Sequence, residues 1–403
     1  MSWPAVAIGD ISNLVTKGTT PTTMGRPFTD HGVRFVKAEA LNGDTYLEQS
    51  GVAFIEEETH QMLKRSILEK DDVLITIAGA QIGRCGYVTS EDLPANTNQA
   101  VGIVRINREK AVPRFVYYFF KQPGTFQTIQ SIGGGQAAQP NLNLANLKQI
   151  ALRLPSMREQ QIIASSLSTY DDVIENNRRR MALLEESARL LYREWFVRLR
   201  FPGYEHTRIA DGVPEGWERK TLGDLCSEIR ELVLPDTLEP DTPYIGLEHM
   251  PRRSISLNDW GKVEQVTSSK HRFKAGEILF GKIRPYFHKV GVAFVDGVAS
   301  SDAIVIRPAD NRLNGLVLMT VSSDEFVAVT SQTMKEGSKM PRADWKQMQA
   351  YSVPLPPSGL LSTFDGVIQP IIAQLKVLTF ANQKLRTARD LLLPRLMNGE
   401  IAV

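Results

Sequence analysis

Basic residues crowd one stretch of this chain. Arg252, Arg253, Lys270, His271, Arg272, Lys274, Lys282, Arg284, His288 and Lys289 lie close together with few acids between them. Arginine can grip guanine through two parallel hydrogen bonds, and lysine neutralises phosphate as a point charge. Lys282-Ile283-Arg284-Pro285-Tyr286 therefore has the chemistry of a base-reading or phosphate-clamping loop. Lys339 and Arg342, after Glu336-Gly337-Ser338, form a smaller group of the same kind. Earlier in the chain, Lys17-Gly18-Thr19-Thr20-Pro21 and Arg26 form a polar stretch suited to a phosphate backbone. Gln81, Arg84, Asn96 and Asn98 could address base edges. Gly133-Gly134-Gly135-Gln136 with Gln139-Pro140-Asn141 makes an amide-rich loop, and Asn and Gln pair well with adenine. Each of these residues also has an ordinary reading, as a solvated basic side chain or a turn former. Net charge does not decide between them: 47 Lys+Arg against 45 Asp+Glu leave +2, so any basic surface must be local.

Patterns for catalysis are missing, and no catalytic residue is assigned. Amino methylation of a flipped base calls for an Asp/Asn-Pro-Pro-aromatic loop, and a nucleotide cofactor for a glycine-rich strand-to-helix turn; neither is present. The triple glycine is not followed by Gly-Lys-Ser/Thr. Glu218-Arg219-Lys220 precedes Pro235-Asp236, the wrong order for a metal nuclease. The six histidines lack metal-ligand spacing, so no metal is expected. Two distant cysteines, Cys85 and Cys226, fit a reducing compartment. No run of eighteen apolar residues and no basic-then-apolar start occur, which points to a cytoplasmic protein.

The elements that must position these residues come in two copies. Trp3 with Ile8-Gly9-Asp10 is matched by Trp217 with Leu222-Gly223-Asp224 at the same spacing. Arg34 to Glu39 resembles Pro243 to Glu248, Lys70 to Ile75 resembles Ala275 to Phe280, and Ala100 to Arg105 resembles Ala303 to Arg307. Leu152 to Pro155 against Val353 to Pro356 closes the series, at an offset of roughly 200 residues. Val73-Leu74-Ile75-Thr76-Ile77, Val101 to Arg105 and Ile304-Val305-Ile306 read as strands; Val116 to Lys121 and Leu316 to Met319 read as helices packed on them.

Each copy ends in a long helical stretch with coiled-coil spacing. In the first, Ile163, Leu167, Tyr170, Ile174, Met181, Leu184, Ala188, Leu191 and Trp195 alternate four- and three-residue steps, with Asn177 as a polar, register-setting member. About 35 residues at 1.5 Å each give a rod of roughly 50 Å. In the second, Ile371, Leu375, Leu378, Asn382, Leu385 and Leu392 repeat the spacing, with Arg389 interrupting. Pro370 predicts a fresh helix start after a short helix near Leu361 to Ile368, and Leu393-Pro394 a stop. Two seams of similar length predict antiparallel pairing. Arg178, Arg179, Arg180, Arg189, Arg193 and Arg198 read as a solvated face balanced by Glu175, Glu185, Glu186 and Glu194.

Several segments, in this order, resemble the DNA-specificity subunits of type I restriction–modification enzymes. They are Gln139-Pro140-Asn141-Leu142-Asn143, Leu154-Pro155, Glu159-Gln160-Gln161-Ile162, Asp171, Pro214-Glu215-Gly216-Trp217-Glu218 with Leu222-Gly223-Asp224, and the tail Arg389 to Leu396 ending in Gly399-Glu400-Ile401. The first copy lacks the full Pro-Glu-Gly-Trp opening, and the second has Met340-Pro341-Arg342-Ala343-Asp344-Trp345 in place of Gln-Pro-Asn-Leu. The resemblance implies an α+β protein: two repeated mixed α/β target-recognition domains joined by two long helices in a pseudo-twofold antiparallel coiled coil. The expected boundaries are 1–154 and 201–356 for the recognition domains, with spacer helices in 155–200 and 357–403. It also implies a non-catalytic subunit that reads a split, asymmetric site on double-stranded DNA. Two modification subunits would methylate adenine with S-adenosylmethionine, and restriction subunits would use ATP and Mg2+. A helical scaffold and an autonomous DNA-modifying enzyme are the alternatives.

Overall fold

The computed structural model describes residues 3–134, 140–332 and 341–403. They form two compact units, Met1–Glu175 with Lys384–Val403, and Asn176–Gln383. Both cuts fall inside the long helices, so each unit is a globular body plus a stretch of each helix.

In the first unit an antiparallel sheet runs in the order Ser12–Lys17, Val101–Ile106, Val73–Thr76, Cys85–Tyr87. The two central strands, Val101–Ile106 and Val73–Thr76, are mostly apolar because both their faces are covered. Val73, Ile75 and Val104 point into a core shared with the helices Pro113–Lys121 and Pro123–Ile132. Leu74 and Ile103, on the other side of the pleat, pack toward the sheet Val52–Ile55, Val33–Val36, Ala95–Thr97.

The second unit repeats this plan. Cys226–Ile229, Ala303–Pro308, Ile278–Gly281 and Val290–Ala293 lie in the corresponding order, with Ser256–Leu257 added at the edge. Ile304 and Ile306 enter the core beneath the helices Asn314–Val321 and Asp324–Gln332, while Val305 faces the second sheet of that unit. The similar sequence segments also encode a shared ion pair. Arg105 Nε is 2.8 Å from Asp72 Oδ1, and Arg307 pairs with Glu277 at the matching place. Each body is closed by pairing its start with its end: Ala5–Ala7 with Ala151–Arg153, and Glu218–Thr221 with Ser352–Leu355.

The long helices are Met157–Tyr192, continued by a π-turn at Arg193–Val197, and Ser358–Met397. A capping box starts the first: Ser156 N donates to Glu159 Oε2 at 2.8 Å, and Glu159 N to Ser156 Oγ at 3.3 Å. Within the second unit, Asn177 meets Asn382 and Trp195 meets Phe364, so the two stretches run antiparallel. Within the first, Asp171 meets Arg389, while Ile163 and Leu167 share a core with Leu393 and Leu396. Ile163, Leu167, Ile174, Met181, Leu375 and Leu378 are buried; Leu184, Leu191, Ile371 and Leu385 are half-buried.

The break anticipated at Pro370 is absent: the second helix is continuous for 40 residues and passes Pro394 to end at Met397. Leu361, Phe364 and Ile368 before the proline, and Leu375 and Leu378 after it, are buried in one core, and that packing outweighs the lost backbone hydrogen bond. This helix alone among the described ones is long and apolar enough, by length and composition, to cross a membrane; it is the helix whose apolar residues fill that core.

Candidate nucleic-acid interface

In the second unit three polar segments meet. Ile283 forms a β-bridge with Arg342; Arg284 N donates to the Pro341 carbonyl and Ala343 N to the Lys282 carbonyl, each at 2.9 Å. Arg253 N donates to the His288 carbonyl at 2.9 Å, and the Arg252 guanidinium lies 4.0 Å from the centre of the Phe287 ring. Arg252, Arg253, Lys282, Arg284, Tyr286, Lys289 and Arg342 thus occupy adjoining loops, although the sequence scatters them over some ninety positions. Arg252, Arg253, Arg284, Tyr286 and Arg342 are exposed.

Their backbone is held in an unusual shape. Arg253, Arg284 and His288 have φ of 54°, 49° and 55°, half of the six non-glycine residues with positive φ among the described residues. Each such residue costs on the order of 1 kcal/mol and persists only where its surroundings over-determine it. The bridges just named do that. Lys282 Nζ donates to the Ser301 carbonyl at 3.1 Å and stands 4.0 Å from Glu228; Lys289 Nζ donates to the Leu247 carbonyl. Partial burial pulls the pKa of both lysines down. Arg253 pairs with Asp324 at 2.8 Å and Arg342 with Asp302 at 3.2 Å. These exposed pairs are weak enough for a phosphate or base to displace.

The first unit carries the same frame with different side chains. Ala78 bridges Asn141, Gly79 N donates to the Pro140 carbonyl at 3.1 Å, and Leu142 N to the Ile77 carbonyl at 2.8 Å. Gln81 and Arg84 are half-buried on the loop so held, and Asn141 is exposed. Ile77 N also donates to the Ala100 carbonyl at 2.8 Å, beside the turn in which Asn98 Oδ1 accepts from Ala100 N. Gly18 lies against that turn: a Cβ there would stand 2.1 Å from the Thr97 carbonyl oxygen, so only glycine fits. Exposed Lys17 and half-buried Thr19 and Thr20 flank it, with Thr19 Oγ1 accepting from Arg65 at 3.2 Å. Arg26 is spent on a two-bond pair with Glu58, at 2.7 and 3.2 Å. Gln136, Gln139 and Lys339 lie outside the described residues.

Two of the expected contact residues lie buried. Asn96 is fully buried; its Oδ1 meets the His60 ring and its Nδ2 donates to the Leu63 carbonyl, so it holds two segments together. His288 is buried as well, with Nε2 2.7 Å from the Ser322 carbonyl, and burial lowers its pKa. It anchors the loop from behind. One residue read as part of a solvated face is also buried: Glu185 accepts from Ser254 Oγ at 2.7 Å and from Ser256 Oγ at 2.6 Å. Its signal in the sequence is a second stripe, Met181, Glu185, Ala188, Tyr192, Trp195, with one charge among apolar residues. No group of His, Cys, Asp and Glu among the described residues is arranged to hold a metal ion.

A family model described as type I restriction modification DNA specificity domain matches residues 2–186 and 214–376, the two copies in turn. This chain belongs to that family. The role of such a specificity subunit is DNA specificity, with catalysis on other subunits of the restriction–modification complex, so the subunit is not itself the enzyme. The chain is 25% identical to the type I restriction enzyme MjaIX specificity subunit of Methanocaldococcus jannaschii, covering 100% of this chain and 94% of that protein. It is 22% identical to the EcoDI specificity subunit of Escherichia coli over 60% of this chain and 59% of that one. Its fold is similar to the crystal structure of the S subunit from M. genitalium, with a TM-score of 0.58 at 14% identity over 98% of this chain and 96% of that one.

Proposed function

We propose that this specificity subunit reads a bipartite, asymmetric target on double-stranded DNA. Residues 1–154 form one recognition domain and 201–356 the other, and the helical stretches in 155–200 and 357–403 set the gap between half-sites. The observation that carries this reading is the repeated frame. A β-bridged pair of polar loops, 77–84 with 140–142 and 282–289 with 341–343, recurs with different side chains. One frame with two sets of readers is what a split, asymmetric site requires, its spacing fixed by protein geometry. Gln81 and Asn141 suit adenine edges, Arg284 and Arg342 guanine, and Lys17, Thr19, Thr20, Lys282 and Lys289 the backbone. Two modification subunits would methylate adenine with S-adenosylmethionine, and restriction subunits would use ATP and Mg2+, all in the cytoplasm.

Selection of bound duplexes from a randomised pool, using the full chain with its modification subunits, tests this. Two enriched blocks at a fixed gap are expected. Salt-dependent binding with no enrichment would reduce the subunit to a non-specific DNA scaffold.

A further inference from the structure

Glu185 is nearly fully buried on the first long helix, within a stripe whose other members are apolar. A buried carboxylate is costly unless its hydrogen bonds are met, and an apolar residue would suit the stripe better. The serine partners of Glu185 belong to the segment 252–256, Ser254 in the loop and Ser256 at the start of the edge strand Ser256–Leu257. One oxygen, Oε1, accepts from both Ser254 and Ser256, and Oε2 lies 3.3 Å from Arg189. Arg189, one turn further along the helix, donates to the carbonyl of Arg253. Arg253 is one of the three positive-φ residues of the basic loops, and its N–H holds the His288 carbonyl at 2.9 Å. The chain of contacts runs from the helix, through 253–256, to the base of loop 282–289.

We infer that Glu185 and Arg189 are positioning residues for specificity: they hold the 252–256 segment, and through it the 282–289 loop, in the geometry that reads the second domain's half-site. This rests on the proposal that 282–289 is a reading loop. Neither residue touches DNA in this scheme. Both act by fixing where Arg253 and Arg284 point.

The test uses the full chain with its modification subunits and a library of methylation targets randomised in each half-site. Glu185→Leu removes the acceptor while keeping the bulk. It should lower base selectivity at the second domain's half-site by about tenfold, the scale of losing charged hydrogen bonds, and leave the first half-site unchanged. Glu185→Gln keeps an oxygen for both serines and should retain most of the selectivity. Ser254→Ala, at the half-buried rim, should show a smaller loss of the same kind, and carries the test if Glu185→Leu does not fold. Unchanged selectivity, or equal loss at both half-sites, overturns the positioning role. Lys282→Ala with Arg284→Ala runs alongside: if that pair leaves the second half-site intact, the reading-loop proposal itself fails, whereas an effect there with none from Glu185→Leu removes the positioning role only.

Discussion

Asn177 donates through Nδ2 to Oδ1 of Asn382 across the helix pair, 2.8 Å away, and both residues are buried. A polar pair in an apolar seam costs stability and specifies register, because every other alignment strands two amides without partners. Replacing either asparagine with leucine leaves the other unsatisfied and should cost about 1–3 kcal/mol. Replacing both should cost less than the sum of the single changes, and can exceed wild type in stability. Urea unfolding of the four proteins gives the coupling directly; additive costs would show that the two side chains do not act together.

Asp171 and Arg389 form the matching contact in the first unit, with Nη1 to Oδ1 at 2.5 Å and both groups buried. Tyr118 donates to the second carboxylate oxygen at 2.5 Å. Burial alone would raise the Asp171 pKa, but Lys121 and Arg389 outweigh it and hold the carboxyl below its usual value. A carboxyl depressed in the folded state contributes stability that is complete above its unfolded pKa, about 3.9, and is lost as pH falls through the lower folded value. Asp171→Asn should therefore cost about 3 kcal/mol at neutral pH, because buried Arg389 loses its buried counter-charge and keeps only the exposed Asp390, 2.8 Å away. The gap from wild type should narrow below about pH 4. Thermal melts across pH check this, and a gap independent of pH would contradict it.

The basic loop and the amide loop should control different half-sites. Lys282→Ala with Arg284→Ala should weaken one, by about 1–3 kcal/mol for each two-bond grip on a base that is removed, and leave the other unchanged. Gln81→Ala with Asn141→Ala should do the reverse. Binding to a series of single-base target variants separates the two. A variant that weakens every duplex evenly, with the salt dependence reduced by about one counterion per cation removed, would assign its residue to phosphate.

Asn96 should behave as a structural residue. Asn96→Ala leaves the buried His60 Nδ1 without its partner and the Leu63 carbonyl with the Ser66 N–H alone, and should lower stability by about 1–3 kcal/mol with no change in base preference. Unfolding and target-series binding on the same protein decide it; altered preference at unchanged stability would restore Asn96 as a contact.

The frame was legible in the sequence wherever it is local or periodic. The four-and-three steps from Ile163 to Trp195 mark a seam whose members are all buried or half-buried. The similarity of Lys70 to Ile75 with Ala275 to Phe280 located strands and, unrecognised, the acids of a repeated ion pair with Arg105 and Arg307. Pro370 misled because a local backbone preference lost to packing on both sides of it. The site was harder to read for a different reason. Asn96, His288 and Glu185 have the same chemistry exposed or buried, and only the tertiary fold decides which. The joining of 282–289 to 341–343 depends on a β-bridge between residues far apart in the chain, which no spacing rule conveys.

The most direct measurement is the methylome of a host lacking adenine methylation, carrying this subunit with its modification subunit, and each alone as controls. The expected result is N6-methyladenine in one split motif with a fixed gap, seen only when both are present. Methylation that is absent from a verified soluble complex, or that falls in a single continuous motif, would contradict a two-domain reader.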